Sequence, residues 1–214
     1  ALALLFQEQA VILPLLVPAY LIAQKFSINT ALKTLKRWDF LILFIPTVIY
    51  FIARYLSNSH WSGGDYSYNL LQLPMNFVGN IIGYVLLTLI GPMSFPIYNG
   101  LRDVARDNIL VVLILAPFII AAIYLVYKFI YKALSAPEKR IVLFGSSFFV
   151  ISLLPFLGLG NIASRYDYLA SIGIIFIFVM FINRIYDYLL KNGREIALGT
   201  VGVVIGILVL FHII

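Results

Sequence analysis

The residues able to do chemistry are few and stand in apolar surroundings. In the stretch Pro155-Phe-Leu-Gly-Leu-Gly-Asn-Ile-Ala-Ser-Arg-Tyr-Asp-Tyr-Leu-Ala-Ser-Ile-Gly173, an arginine and an aspartate sit among tyrosines and glycines at the border of two apolar runs. Charge in or beside hydrocarbon is costly unless it is paired, hydrated or held against a ligand, so Arg165 and Asp167 require a physical reason. Ser164-Arg-Tyr-Asp167 has the form of a capping box, in which Ser164 caps a helix and Asp167 reaches back to the free N–H of the cap. Such a helix start also presents free N–H groups and the positive end of a dipole, to which Arg165 adds a planar donor fork. That combination suits a phosphate or pyrophosphate at a membrane surface. Tyr166 and Tyr168 either offer faces to a lipid or sugar or serve as interfacial belt residues.

Other polar landmarks are thinner. Glu8, in Phe6-Gln-Glu-Gln9, lies within an apolar run beside two amides and is either a functional carboxylate or a helix-end group bonded to Gln7 or Gln9. Arg102-Asp103 and Arg106-Asp107 repeat at a spacing of four, which fits a short surface helix with internal pairing. His60 and Asp65 share one polar loop, too little for a metal or catalytic site. The sequence has no Gly-rich phosphate loop, no nucleophile elbow and no His/Cys cluster with metal-ligand spacing. No metal site is expected; a divalent cation is the one cofactor left open.

The elements that must position these residues are membrane helices. Of 214 residues, 63% are hydrophobic and 11% charged, against roughly 25% charged in an average soluble domain. Several apolar runs approach or exceed the roughly 18 residues a helix needs to cross hydrocarbon, and they lack the alternation of barrel strands. The expected fold is therefore all-α: one polytopic bundle of about six to seven spans over residues 1–214. Spans are expected near 1–22, 40–56, 109–129, 141–156, 166–182 and 196–214. A further stretch, 76–95, is interrupted by Gly79, Gly83, Gly91 and Pro92. Both ends of the chain lie in apolar runs, so the sequence reads as an internal piece of a longer membrane protein. Cysteine is absent, which removes disulfides and thiolate metal sites.

The net charge of +6 does not point to nucleic acid, because the basic residues fall in short loops between apolar runs. Lys25, Lys33, Lys36 and Arg37 occupy one loop, Lys128, Lys132, Lys139 and Arg140 another, and Arg184, Lys191 and Arg194 a third; these are 11 of the 15 cations. All three loops should face the cytoplasm. Simple alternation of spans delivers that only if 76–95 is re-entrant or broken; an ordinary kinked crossing leaves the Lys132 loop on the wrong side. On the re-entrant reading, His60, Asp65, Arg102, Asp103, Arg106, Asp107, Arg165 and Asp167 gather on the outer side.

Two segments carry a resemblance. Leu4-Leu-Phe-Gln-Glu-Gln-Ala-Val-Ile-Leu-Pro14 resembles, with one residue fewer before its Leu-Pro, the LLxKEQxxxxLP segment, and Ser164-Arg-Tyr-Asp-Tyr-Leu-Ala-Ser-Ile-Gly173 resembles the ERYLYLPSIG segment, of the C-class polytopic glycosyltransferases. The nearest likeness is to the transmembrane and tetratricopeptide-repeat O-mannosyltransferases and their bacterial relatives. About twenty residues carry the likeness, and the chain departs from the pattern at Gln7, Ser164, Asp167 and Ala170, where the family has Lys, Glu, Leu and Pro.

The resemblance implies transfer of a sugar from a polyprenyl-phosphate donor to a protein or glycan acceptor on the non-cytoplasmic side of a multi-pass protein of the bacterial inner membrane. Membrane lipids are partners and nucleic acid is not. It implies that Arg165 contacts the lipid-linked phosphate, with Tyr166 and Tyr168 completing the motif; the re-entrant reading, rather than the resemblance, adds Arg102 and Arg106 as substrate-binding candidates on the same side. The resemblance also implies a general base in a loop preceding residue 1, with Glu8 the one candidate within these residues, so that the piece alone would be inactive. A transporter or flippase for a lipid-linked or anionic substrate, or a non-enzymatic membrane scaffold, are the alternatives.

Overall fold

A computed structural model describes residues 11–25, 44–56, 72–108, 124–191 and 193–213, together with isolated residues at 29, 33, 42, 110, 114, 117, 118 and 121. Among these the ordered elements are helical: α1 (Leu13–Lys25), α2 (Ile45–Leu56), α3 (Leu73–Ile90), α4 (Ser94–Asp107), α5 (Ala136–Leu153), α6 (Ser164–Leu190) and α7 (Arg194–Ile213). Three helical stretches are long and apolar enough to cross a membrane: Leu73–Ala105, Ser164–Leu190 and Arg194–His212. The expected helices at 141–156 and 166–182 are present but differently bounded. α5 starts at Ala136, where Ser135 and Glu138 form a capping box and Pro137 occupies the first turn; α6 runs on to Leu190. Of the expected spans at 1–22 and 109–129, residues 1–10 and most of 109–123 lie outside the described residues, while α1 covers the later part of the first.

α5 and α6 form the antiparallel pair against which α1, α3 and α7 pack. Gly145 faces Gly173 so closely that a Cβ on either would fall on the carbonyl oxygen of the other. Small residues allow such backbone approach, which is how helices associate where lipid tails are as apolar as side chains. At the far end of the pair, Arg184 of α6 donates from Nη1 to both oxygens of Glu138 at 3.0 Å and from Nη2 to the Ala133 carbonyl at 3.1 Å. α1 docks on α5, with the rings of Tyr20 and Phe144 edge to face at 5.7 Å.

The stretch Leu73–Ala105 is broken, and the break reverses the chain. Gly91 ends α3 at φ 60°, a left-handed conformation favouring glycine, and a Cβ there would press on the Phe211 carbonyl of α7. Pro92 comes next and cannot continue the helix. After the 3-10 turn Gly91–Met93, α4 returns along α3: the Tyr98 ring lies against Gly83, and its phenol donates to the Asn80 side-chain oxygen. A straight helix would hold residues 80 and 98 about 27 Å apart. Two arms of 18 and 14 residues thus form a hairpin.

The hairpin has a definite direction relative to α6. Tyr84 meets Ala163, and Thr88, one turn on, meets Asp167, one turn further along α6, so α3 runs alongside the start of α6 in the same sense. Near the apex, Thr88 and Leu89 border a cavity of about 320 Å³ with Ile174, Ile175 and Phe178 of α6 and with Leu208, Val209 and His212 of α7. Those α6 residues lie roughly 15–21 Å past Ser164 along a helix about 40 Å long. The hairpin therefore enters from the Ser164 end, turns near the middle of α6, and leaves by the end it entered.

Candidate functional site

One face of α3 carries four polar residues at a spacing of four: Asn76, Asn80, Tyr84 and Thr88. Residues four apart on a helix lie above one another, so the four form a ladder. Each rung engages the α5–α6 loop or the first turn of α6. Asn76 donates to the Gly158 carbonyl at 3.4 Å. Asn80, with no exposed surface, donates to the carbonyls of Leu157 and Leu159 at 2.9 Å each. Tyr84 accepts from the Ala163 N–H at 3.3 Å. Thr88 donates to the Asp167 carboxylate, whose oxygens lie 3.0 and 3.1 Å away, and sits 2.9 Å from the Tyr84 carbonyl of its own helix.

The physical need for the ladder lies in the loop. In Leu154–Ala163 regular helical geometry ends; the carbonyls of Phe156 and Ala163 accept backbone bonds from Leu159 and Tyr166, whereas those of Leu157, Gly158 and Leu159 are met by the side chains of α3 and would be costly to bury unpaired. Carboxamides supply two donors without introducing charge, and the Tyr98 phenol fixes which way the Asn80 amide points. The loop is thereby held as a lip at one end of the bundle, its own Phe156, Leu157, Leu159 and Ile162 packed inward with Leu153 of α5.

On this lip the structure brings together some of the residues singled out in the sequence and separates others. Arg165 is exposed on the first turn of α6. It donates to the Tyr166 hydroxyl at 2.8 Å, with its guanidinium carbon 4.8 Å from the centre of the Tyr166 ring. Tyr166 is itself buried and stacked on Phe156, ring centres 3.9 Å apart and planes within 10°. The arginine is therefore seated on a clamped aromatic platform. Arg102, half-buried on α4, reaches the same loop: its Nη2 lies 3.6 Å from where a Cβ on Gly160 would stand.

Tyr168 is 76% exposed. Two residues advance a helix by about 200°, so it faces away from Tyr166. The backbone of Arg106 belongs to α4, but its side chain, like Glu8, His60 and Asp65, lies outside the described residues.

The capping box expected of Ser164 and Asp167 is not formed. The helix cap is Ala163, without a side-chain bond, and Ser164 is already helical. Asp167 turns inward instead, 8% exposed, to the hydroxyl of Thr88. The reason is tertiary: the fourth rung of the ladder offers a donor inside the bundle, and a buried carboxylate left without one would be far costlier than an uncapped helix start.

Outward, the lip meets arginine side chains, with Asp103 and Asp107 exposed on the same helix as Arg102. Arg165 and Arg102 approach it, Asp167 is withdrawn, and the N-terminal end of the α6 dipole points the same way. No group of three or more His, Cys, Asp or Glu side chains able to hold a metal ion occurs among the described residues. The arrangement can receive an anion, with an aromatic floor beside it. No protein-family model, curated protein or solved structure matches this chain.

Proposed function

We propose that this chain is the membrane portion of a glycosyltransferase that moves a sugar from a polyprenyl-phosphate donor to a protein or glycan acceptor on the non-cytoplasmic side. The observation that carries the reading is Arg165 seated on the Tyr166–Phe156 stack at the lip, with Arg102 reaching the same loop. A phosphate is a fitting occupant, since a guanidinium fork and a helix N-terminus both favour phosphate oxygens. The direction of α3 and α4 supports the sidedness. A hairpin that leaves by the end it entered is re-entrant in a bilayer, and it sets the lip opposite the basic residues that flank the Glu138–Arg184 clasp. Those belong on the cytoplasmic side.

In this mechanism negative charge grows on the polyprenyl phosphate as the sugar leaves. Arg165 stabilises that charge at the place where it develops, already oriented by Tyr166, so no reorganisation is needed during the reaction. The acceptor proton goes to a carboxylate, for which Glu8 is the candidate within this chain; Asp167 is already engaged inside. Replacing Arg165 with alanine in the intact protein should lower sugar transfer about a hundredfold, with lysine restoring part of it. Unchanged turnover and donor affinity in Arg165→Ala would reject the role.

A second reading is favoured by the broken hairpin, whose apex borders the apolar cavity with α6 and α7: half-membrane elements of this kind also build the substrate sites of transporters. The discriminating measurement is movement of a lipid-linked sugar across vesicles without acceptor. Transbilayer movement with no glycosyl transfer would select the transporter.

A further inference from the structure

At the opposite end of the bundle from the lip, the chain between residues 124 and 140 presents cations on aromatic rings. The rings of Tyr127 and Tyr131 are stacked, centres 5.6 Å apart and planes within 20°. The Lys132 ammonium lies 6.0 Å from the Tyr127 ring centre and the Lys139 ammonium 5.8 Å from that of Tyr131. One stacked pair therefore carries two ammonium groups, and a third, Lys128, lies 5.4 Å over Phe129.

Neither Lys132 nor Lys139 has an ion pair among the described residues. The Glu138 carboxylate between them in sequence is taken up by the Ser135 N–H at 2.6 Å and by Arg184. An ammonium held against an aromatic face still points donors away from it. The segment is also apolar at its surface: Tyr124, Leu125, Phe129 and Ile130 are all exposed.

We infer that the stacked Tyr127–Tyr131 pair with Lys132 and Lys139 is a binding site for the headgroup of an anionic phospholipid in the leaflet on this side. Two cations without acidic partners call for an anion. The exposed aromatic and aliphatic side chains beside them call for acyl chains rather than water, since tyrosines and lysines of this kind sit at headgroup level. A free phosphate would satisfy the first requirement and not the second. The site is independent of the lip and of the reaction proposed there.

The test is binding of phosphatidylglycerol to the full chain in detergent, read as lipid retained in native mass spectra, beside its thermal stability in vesicles of phosphatidylcholine or an equimolar mixture with phosphatidylglycerol. Phosphatidylglycerol should bind saturably and raise the unfolding temperature. Each lysine contributes about fivefold to attraction for an anionic surface, so Lys132→Gln with Lys139→Gln should weaken phosphatidylglycerol binding about thirtyfold. Phosphatidylcholine binding should stay the same, and arginine at both positions should retain the site. Tyr127→Leu, which removes the stack and no charge, should weaken it in the same direction. Undiminished phosphatidylglycerol binding by the double variant, or displacement of the lipid by inorganic phosphate, would overturn the assignment.

Discussion

Replacing Asn80 with alanine removes the rung on which the lip depends most. In the native protein its amide serves the Leu157 and Leu159 carbonyls at 2.9 Å each, and its oxygen receives the Tyr98 phenol. With no exposed surface at this position, water does not reach in to replace those bonds without rearrangement. Three buried groups lose their partner at once. A buried polar group left unmade costs about 1–3 kcal/mol, while interhelical bonds in membrane proteins average about 0.6 kcal/mol because the unfolded state in the bilayer also finds partners. About 1 kcal/mol per group is a balanced figure, giving about 3 kcal/mol, or roughly a hundredfold in the folding equilibrium. At about 2–4 °C per kcal/mol for a chain of this size, the thermal midpoint should fall by about 6–12 °C. The companion Tyr98→Phe should cost about 1 kcal/mol. In the double variant the two losses should fall short of additive by about that amount, because the phenol's partner is already gone. Unfolding of the purified protein in detergent, followed by circular dichroism, measures all three. A cost for Asn80→Ala below about 0.5 kcal/mol, the range of an ordinary surface change, would refute the ladder as a support of the lip.

Gly173→Leu should separate α5 from α6, since its side chain would enter the Gly145 and Phe149 backbone; a loss of about 3 kcal/mol or more would show as low folded yield and protease sensitivity, and native-like stability would contradict the close approach. Glu138 is held below the usual carboxylate range by its bonds to Ser135 and then by Arg184. Its folded pKa is the lower one, so it stabilises the protein above the unfolded value of about 4.3 and loses that contribution as pH falls through the folded value. For an exposed clasp the contribution is at most about 1 kcal/mol; an unchanged acid limb in Glu138→Gln would contradict it. Cysteines introduced at Asp103 and at Arg140, in a chain without native cysteine, should label from opposite sides of the membrane. Labelling of both from one side would overturn the re-entrant hairpin.

Much of the architecture is legible in the sequence where charge or helix-breaking residues speak. Gly91 and Pro92 mark the break, and the basic clusters around Lys139 and Arg184 mark one end of the bundle. Arg165 announces the lip because a guanidinium in apolar surroundings always needs an account. The ladder escapes a reading of the sequence, although its signal is present as Asn76, Asn80, Tyr84 and Thr88 at a spacing of four. Tyr84 and Thr88 barely lower the hydropathy of a window and the two asparagines are outweighed by their apolar neighbours, while the meaning of all four lies in which groups they meet, about 80 residues away in sequence. Asp167 defeats local reasoning for the same cause. Its spacing favours a capping box with Ser164, and only the arrival of Thr88 from a distant helix outweighs it.

The ladder and the break at Gly91 require each other. A polar stripe along a full crossing would have to find partners down the whole of α6, where the residues beyond Asp167 are mainly apolar until Asn183, with Ser171 bonded to its own helix. Stopping α3 after Thr88 ends the polar contacts where α6 turns apolar, at the cavity wall of Ile174, Ile175 and Phe178. Reversal then returns α4 to the lip, so that Tyr98 orients Asn80 from one side while Arg102 reaches Gly160. The same short hairpin thus holds the loop from within by uncharged donors and delivers a cation to its outer edge. Lengthening α3 beyond the break would carry Tyr98 and Arg102 away from the lip together, so the orientation of Asn80 and the delivered cation would be lost at once, which is why the hairpin's depth, rather than its hydrophobicity, fixes the composition of the site.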